Sequence, residues 1–130
     1  MRRFFFRNRQ RIRSNAEFTA ILRHKCCARD NLCVLYVQVN SLGYPRFGVG
    51  VSKKLGPAVV RNRLKRFGRE AFRLGQHDIA EEYDYLLIYV AKKPKNSKAT
   101  VWRDVEFEQV RRSFEKLSDE AAGKWRLQER

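Results

Sequence analysis

The chain has 130 residues and a formal net charge of +15 at pH 7, with 29 Lys and Arg against 14 Asp and Glu. This length fits one domain with a modest core, and a hydrophobic content of 43% excludes a disordered basic tail. Residues 1–73 hold 18 Lys and Arg against three acids, whereas residues 74–130 hold 11 of each sign. The whole net charge therefore lies in the first part of the chain, which predicts an interaction protein with one face directed at a polyanion.

The sequence also indicates where the chain resides. It contains no apolar run of membrane-spanning length, so we expect no membrane partner. Arg2-Arg3 resembles a twin-arginine export signal, but arginines occupy positions where such a signal needs an apolar core. Cys26, Cys27 and Cys33 match no common zinc spacing, even with His24, and we interpret them as buried thiols of a cytoplasmic chain.

The first predicted elements are a basic arm and a short helix. Residues 1–13 lack a helical or strand period and are expected to be a flexible arm, in which Arg11 and Arg13 are candidate phosphate contacts. Residues 1–8 are equally consistent with RNA contact and with a solubilising tail. Ser14 and Glu17 form a predicted capping box, and a helix to about residue 24 follows. Phe18 on this helix is by default a core residue.

Three strands are predicted from runs of Val, Leu, Ile and aromatic residues, over residues 32–39, 46–52 and 85–90, and residues 26–29 are a candidate for a fourth. Alternation places Tyr36 on the face of its strand that can stay open. Gly48 and Gly50 share one face of the second strand, which leaves room for a close neighbour or a cleft floor.

A strongly basic helix follows the second strand. At about 100° per residue, an apolar stripe gathers on one side and basic residues fill the other. Like charges four residues apart destabilise an isolated helix by roughly 0.2–0.5 kcal/mol per pair, so the repulsion calls for an external polyanion rather than solvent. Glu70 is the only acid in this helix. The stripe is Val60, Leu64, Phe67, Ala71 and Leu74, and the basic side is Arg61, Asn62, Lys65, Arg66, Arg69 and Arg73.

The ends of this helix carry recognisable signals. Pro57 indicates its start and Gly75 its end. Lys53 and Lys54 lie just before the start, where free backbone N–H groups favour a phosphate. Gly68 is a weak point, because glycine inside a helix costs about 1 kcal/mol relative to alanine.

The final predicted helix covers residues 101–117, with residues 118–130 expected to be a frayed tail. Residues 92–98 form a basic loop that suits either RNA or solvent. The domain is therefore expected to span residues 14–117. Its class is α+β, one small domain in the order α-β-β-α-β-α, with helices packed on a mostly antiparallel central sheet of three or four strands.

Three segments together resemble the protein subunit of bacterial ribonuclease P: residues 45–54 (PRFGVGVSKK), 58–66 (AVVRNRLKR) and 69–73 (REAFR). The resemblance covers about residues 9–117. It implies a left-handed β-α-β crossover, as in a domain of a small-subunit ribosomal protein. It also implies that the chain assists a catalytic RNA, which cleaves the 5′ leader from precursor tRNA with Mg²⁺ held through the RNA. The resemblance also implies a leader-binding cleft that contains Phe18 and Tyr36. The implied RNA-binding residues are Arg11, Arg13, Lys53, Lys54, Arg61, Asn62, Arg63, Lys65, Arg66, Arg69 and Arg73.

Two other functions are alternatives to assisting a catalytic RNA. A self-sufficient nuclease needs paired carboxylates or a histidine-based site, and the basic half offers only Glu17, Asp30, Glu70 and His24. We therefore expect no catalytic residue in the protein. A structural RNA-binding protein of ribosomal type, or a DNA-binding protein, fits the composition equally well, although DNA is not the expected partner. A preference for precursor over mature tRNA would separate these alternatives from the first function.

Overall fold

A computed structural model describes residues 4–90 and 101–128. Its helices and strands confirm the predicted α+β class and order, including the short additional strand. The elements are α1 (Asn15–His24), β1 (Cys27–Arg29), β2 (Cys33–Val39), β3 (Arg46–Val51), α2 (Ala58–Gly75), β4 (Tyr83–Tyr89) and α3 (Phe107–Gln128).

The four strands form one mixed sheet in the order β1-β2-β4-β3. Neighbours are antiparallel except β3 and β4, which run parallel and are connected through α2. The apolar β4 is interior, as predicted, because both of its edges are paired. The register places Arg46 of β3 opposite Asp84 of β4.

Different helices pack on the two faces of the sheet. Helices α2 and α3 pack on the face that carries Phe47 and Leu87, where the main core lies. Helix α1 packs on the opposite face, in a smaller cluster around Ile12, Ile21 and Leu86. This second face therefore keeps part of its surface open.

The buried side of α2 differs from the predicted stripe. Leu74 is 37% exposed, whereas Gly68 and Phe72 are buried. The cause is the close approach of the helix to the sheet at Gly68. A Cβ at Gly68 would lie 3.2 Å from Leu87 Cδ2 and 3.3 Å from Val49 Cγ2. The glycine that looked like a weak point thus permits helix–sheet packing.

The folded unit begins before Ser14, within the segment expected to be a flexible arm. Ile12 is buried and donates its backbone N–H to Phe47 O at 3.0 Å, which continues the edge of β3. Gln10 is buried and donates to Gln76 Oε1 at 3.0 Å. The ring of Phe6 packs against Phe47. The described part of the arm is therefore attached to the domain.

The C-terminal helix also differs from expectation, starting at Phe107 and extending to Gln128. The prediction of a frayed tail from residue 118 is wrong because the apolar period continues through Ala121 and Trp125. Trp125 is 7% exposed and its ring lies 5.0 Å from that of His24. The predicted basic loop, residues 92–98, lies outside the described residues.

The three cysteines carry no disulfide bond in the part of the chain that the structure describes. Cys26 and Cys33 are buried and Cys27 is half-buried, and all three are free thiols. Within residues 4–90 and 101–128, no helix is both long enough and apolar enough to cross a membrane.

Candidate nucleic-acid interface

The basic side of α2 faces away from the sheet. Leu64, Gly68 and Ala71 lie against the core, and the polar residues of the helix occupy its other side. Asn62, Arg66 and Arg69 are exposed, and Arg61, Arg63, Lys65 and Arg73 are half-buried. The structure thus brings all seven residues predicted on this helix onto its outer surface.

Two of these arginines are held by backbone oxygens. Arg61 Nε donates to Gly56 O at 3.1 Å, and Arg63 Nη1 donates to Arg103 O at 2.7 Å. The Arg63 guanidinium also lies 4.8 Å from the centre of the Phe67 ring. A carbonyl acceptor does not neutralise a guanidinium, so both groups keep their positive charge and gain a fixed orientation.

Arg73 is in a different environment. It forms an ion pair with Glu70, one helical turn earlier, and donates from Nη1 to Phe4 O at 3.0 Å. Hydrogen bonds from Arg73 lower the pKa of Glu70. Among the described residues, Arg73 is the one member of the predicted basic set with an acidic partner, so it contributes less net charge to the surface.

The basic surface continues onto the N-terminal segment. Arg11 forms a bridge with Phe47 at the edge of β3, and Arg13 Nη2 donates to Asn8 Oδ1 at 3.0 Å. Arg11 and Arg13 line a cavity of about 480 Å³ together with Arg69 of α2. Partial loss of hydration beside this cavity, followed by the neighbouring charge of Arg11, lowers the pKa of Arg69. Cations from two distant parts of the sequence thus converge on one cavity.

Phe18 lines the same cavity and packs on the partly open face of the sheet. The ring of Phe18 covers Gly48, where an added Cβ would lie 2.8 Å from Phe18 Cε1. Tyr36 is half-buried and packs in the same cluster as Phe18. The structure therefore places both predicted cleft residues on one face. Leu22, farther along α1, is 38% exposed.

Lys53 and Lys54 lie in a short 3-10 turn between β3 and α2. Ser52 Oγ accepts a hydrogen bond from Lys54 N at 3.2 Å and stabilises the start of this turn. Both lysines are exposed and precede the N-terminus of α2, where Pro57 is the N-cap. Lys53 and Lys54 therefore stay candidate phosphate contacts close to the start of the helix.

Sequence reasoning missed Arg46, which joins α1 to the sheet through carboxylates on two other elements. No local signal identifies it, because the partners are separated in sequence and meet only through the β3–β4 register. Across the described ranges, no group of three or more His, Cys, Asp and Glu side chains could hold a metal ion.

Comparison with known proteins identifies the family. Residues 6–122 match the family model described as Ribonuclease P. The ribonuclease P protein component of Clostridium kluyveri is 45% identical over 91 residues, which cover 70% of this chain and 81% of the relative. That of Clostridium novyi is 39% identical over 99 residues, covering 75% of this chain and 84% of the relative.

Solved structures agree with these sequence matches. The Staphylococcus aureus ribonuclease P protein superposes with a TM-score of 0.69 at 31% identity, covering 86% of this chain and 94% of that one. The Thermotoga maritima protein gives a TM-score of 0.69 at 28% identity, with coverage of 82% and 92%. With the basic α2 surface and the predicted fold both present, the chain belongs to the bacterial ribonuclease P protein family.

Proposed function

We propose that this chain binds the catalytic RNA of ribonuclease P through the outer surface of α2 and holds the 5′ leader of precursor tRNA on the open face of the sheet. In that position the RNA cleaves the leader and releases the mature 5′ end. Family membership supports the partnership with ribonuclease P RNA. The leader-binding role is supported by the cavity at which cationic and aromatic side chains meet.

A single observation carries the proposal: the cationic and aromatic surfaces meet at one cavity. Arg11, Arg13 and Arg69 supply charge there, and Phe18 supplies a ring. Arginines bind phosphates without reading sequence, and aromatic rings stack on any base. A single strand that leaves an RNA-bound duplex can therefore pass from phosphate contacts to ring contacts without interruption. Leaders differ in sequence, so binding of this kind suits them.

The Mg²⁺ ions are proposed to be held through the RNA. Phosphate oxygens are ligands that Mg²⁺ favours, and the ion is bound through few protein carboxylates when substrate phosphates are present. The protein's contribution is then to neutralise phosphate repulsion with the α2 arginines and to fix the position of the leader. We propose no catalytic residue in the protein.

The proposal is tested by reconstitution with the cognate catalytic RNA at low Mg²⁺, using precursor tRNA with a leader and the same tRNA without it. Adding the chain should raise affinity for the precursor far more than for the mature tRNA. Phe18→Ala should reduce this preference, whereas Leu22→Ala, on the same helix, should change it much less. Far-UV circular dichroism checks that both variants fold.

An alternative function is that of a structural RNA-binding protein of ribosomal type, which the overall basicity also fits. Such a protein needs the α2 surface but has no use for a leader site. Equal enhancement of precursor and mature tRNA binding would therefore favour this alternative and contradict the proposal.

A further inference from the structure

Arg46 is the centre of a polar network at the end of the sheet. Its Nε and Nη2 donate to the two carboxylate oxygens of Asp84 at 2.9 and 2.6 Å, and its Nη1 donates to Glu17 Oε2 at 2.7 Å. Asn40 Nδ2 donates to Asp84 Oδ1 at 2.7 Å. All three donor atoms of one planar guanidinium are thus used, in a geometry that lysine cannot reproduce.

The two carboxylates in this network have different environments. Asp84 is 5% exposed, and a buried carboxylate needs a partner to offset its lost hydration. Its bidentate contact with Arg46 therefore belongs to the stability of the β3–β4 pair. The side chain of Glu17 is 41% exposed and does not need Arg46 for its own solvation. The Arg46–Glu17 contact is therefore not required by burial of Glu17.

Glu17 does not form the capping box that the sequence predicted. Its backbone N–H is capped by Ser14 Oγ at 3.1 Å, but its carboxylate turns toward Arg46 on the sheet. The next residue is Phe18, whose ring covers Gly48, two residues after Arg46. The ion pair therefore ties the first turn of α1 to β3 beside the aromatic residue proposed to bind the leader.

Glu17 places a negative charge beside a cationic surface. It is one of three acids in residues 1–73 and lies next to a residue at the cationic cavity. An acid at this place repels RNA phosphates, so it weakens binding unless it serves another purpose. Fixing the orientation of α1 is a purpose that the geometry supports.

We infer that Arg46, acting through Glu17, is a positioning residue for the leader-binding surface. The ion pair holds the first turn of α1 so that Phe18 keeps its place over Gly48 and presents one ring orientation to the leader. This inference rests on the proposed function. The Arg46–Glu17 pair does not contact RNA itself. Its role is to preserve discrimination between leader-bearing and leader-less RNA.

The test compares Glu17→Ala, which removes both charge and acceptor, with Glu17→Gln, which removes the charge but keeps an acceptor oxygen for Arg46. The measured quantity is the ratio of precursor to mature tRNA affinity in the reconstituted complex. Glu17→Ala should lower this ratio by up to about fivefold, the upper limit for loss of a half-exposed ionic contact. Glu17→Gln should retain most of it. Glu120→Ala, an exposed acid on α3 with the same charge change, is the control and should leave the ratio unchanged.

A charge effect alone gives the opposite pattern. Loss of one negative charge near RNA would strengthen binding equally in the Ala and Gln variants and leave the ratio unchanged or raised. That result would overturn the inference. If Phe18→Ala abolishes the leader preference while Glu17→Ala keeps it, the inference fails and the proposed function stands. If the unmodified chain shows no leader preference, the proposed function fails first.

Discussion

At the residue scale, the arginines of α2 differ in the charge that they can offer to RNA. Arg66 is exposed and has no acidic partner among the described residues, whereas Arg73 is paired with Glu70 one turn away. A phosphate that contacts Arg73 must compete with this carboxylate. Equal position on a basic surface therefore does not mean equal contribution to binding.

This difference predicts the salt dependence of two matched variants. If about six phosphates are contacted, log affinity should fall with log salt at a slope of roughly −4 for single strands to −5 for duplex RNA. Arg66→Ala should reduce the size of this slope by about one unit, and Arg73→Ala by clearly less. The measurement is a titration of the catalytic RNA at several salt concentrations. Equal changes in the two variants would contradict the assignment.

At the element scale, the position of α2 depends on the absence of a side chain at one point. Gly68 faces the sheet, where an added Cβ would lie 3.2 Å from Leu87 Cδ2 and would force this side chain to shift, whereas Gly123 of α3 has no atom within 4 Å of an added Cβ. Both glycines lie inside helices, so both carry the same intrinsic cost of about 1 kcal/mol relative to alanine. Their surroundings alone distinguish them.

The two glycines therefore predict opposite effects on the free energy of unfolding. Gly123→Ala should stabilise the protein by about 0.5–1 kcal/mol. Gly68→Ala should destabilise it by about 1 kcal/mol, because overpacking costs about 1–3 kcal/mol and exceeds the gain in helix propensity. Urea unfolding followed by circular dichroism measures both values. A stabilised Gly68→Ala variant would show that Leu87 and Val49 move aside easily.

At the scale of the whole molecule, the acids of the basic half are all engaged in structure. Glu17 contacts Arg46, Glu70 contacts Arg73, and Asp30 Oδ1 accepts hydrogen bonds from two backbone N–H groups after β1. They are not paired with one another in the way that a general acid and base require. This arrangement supports the proposal that the surface holds phosphates.

This arrangement predicts that the purified chain, incubated with precursor tRNA and Mg²⁺, gives no cleavage at the mature 5′ end. Addition of the cognate catalytic RNA to the same mixture should restore cleavage. Gel analysis of end-labelled precursor provides the measurement, and a preparation treated to remove contaminating nucleases is the necessary control. Site-specific cleavage by the chain alone would place a catalytic site in the protein.

Features that depend on neighbouring residues can be read from the amino-acid sequence alone. The bounds of α2 fall next to Pro57 and at Gly75, and its basic surface follows from a helical period that can be read along the chain. The ribonuclease P family motif lies in the same stretch, and alternation in β2 placed Tyr36 on the face that remained partly open. Each of these depends on residues a few positions apart, so local physics was sufficient.

Features that join distant segments become visible in the folded chain. The register of β3 against β4 brings Arg46 to Asp84, and the pairing of the N-terminal segment with β3 brings Arg11 toward Arg69. The docking of α3 on the sheet buries Trp125, which the sequence left in a tail. No local period encodes which segments meet, because that choice is made by burial of apolar surface over the whole chain.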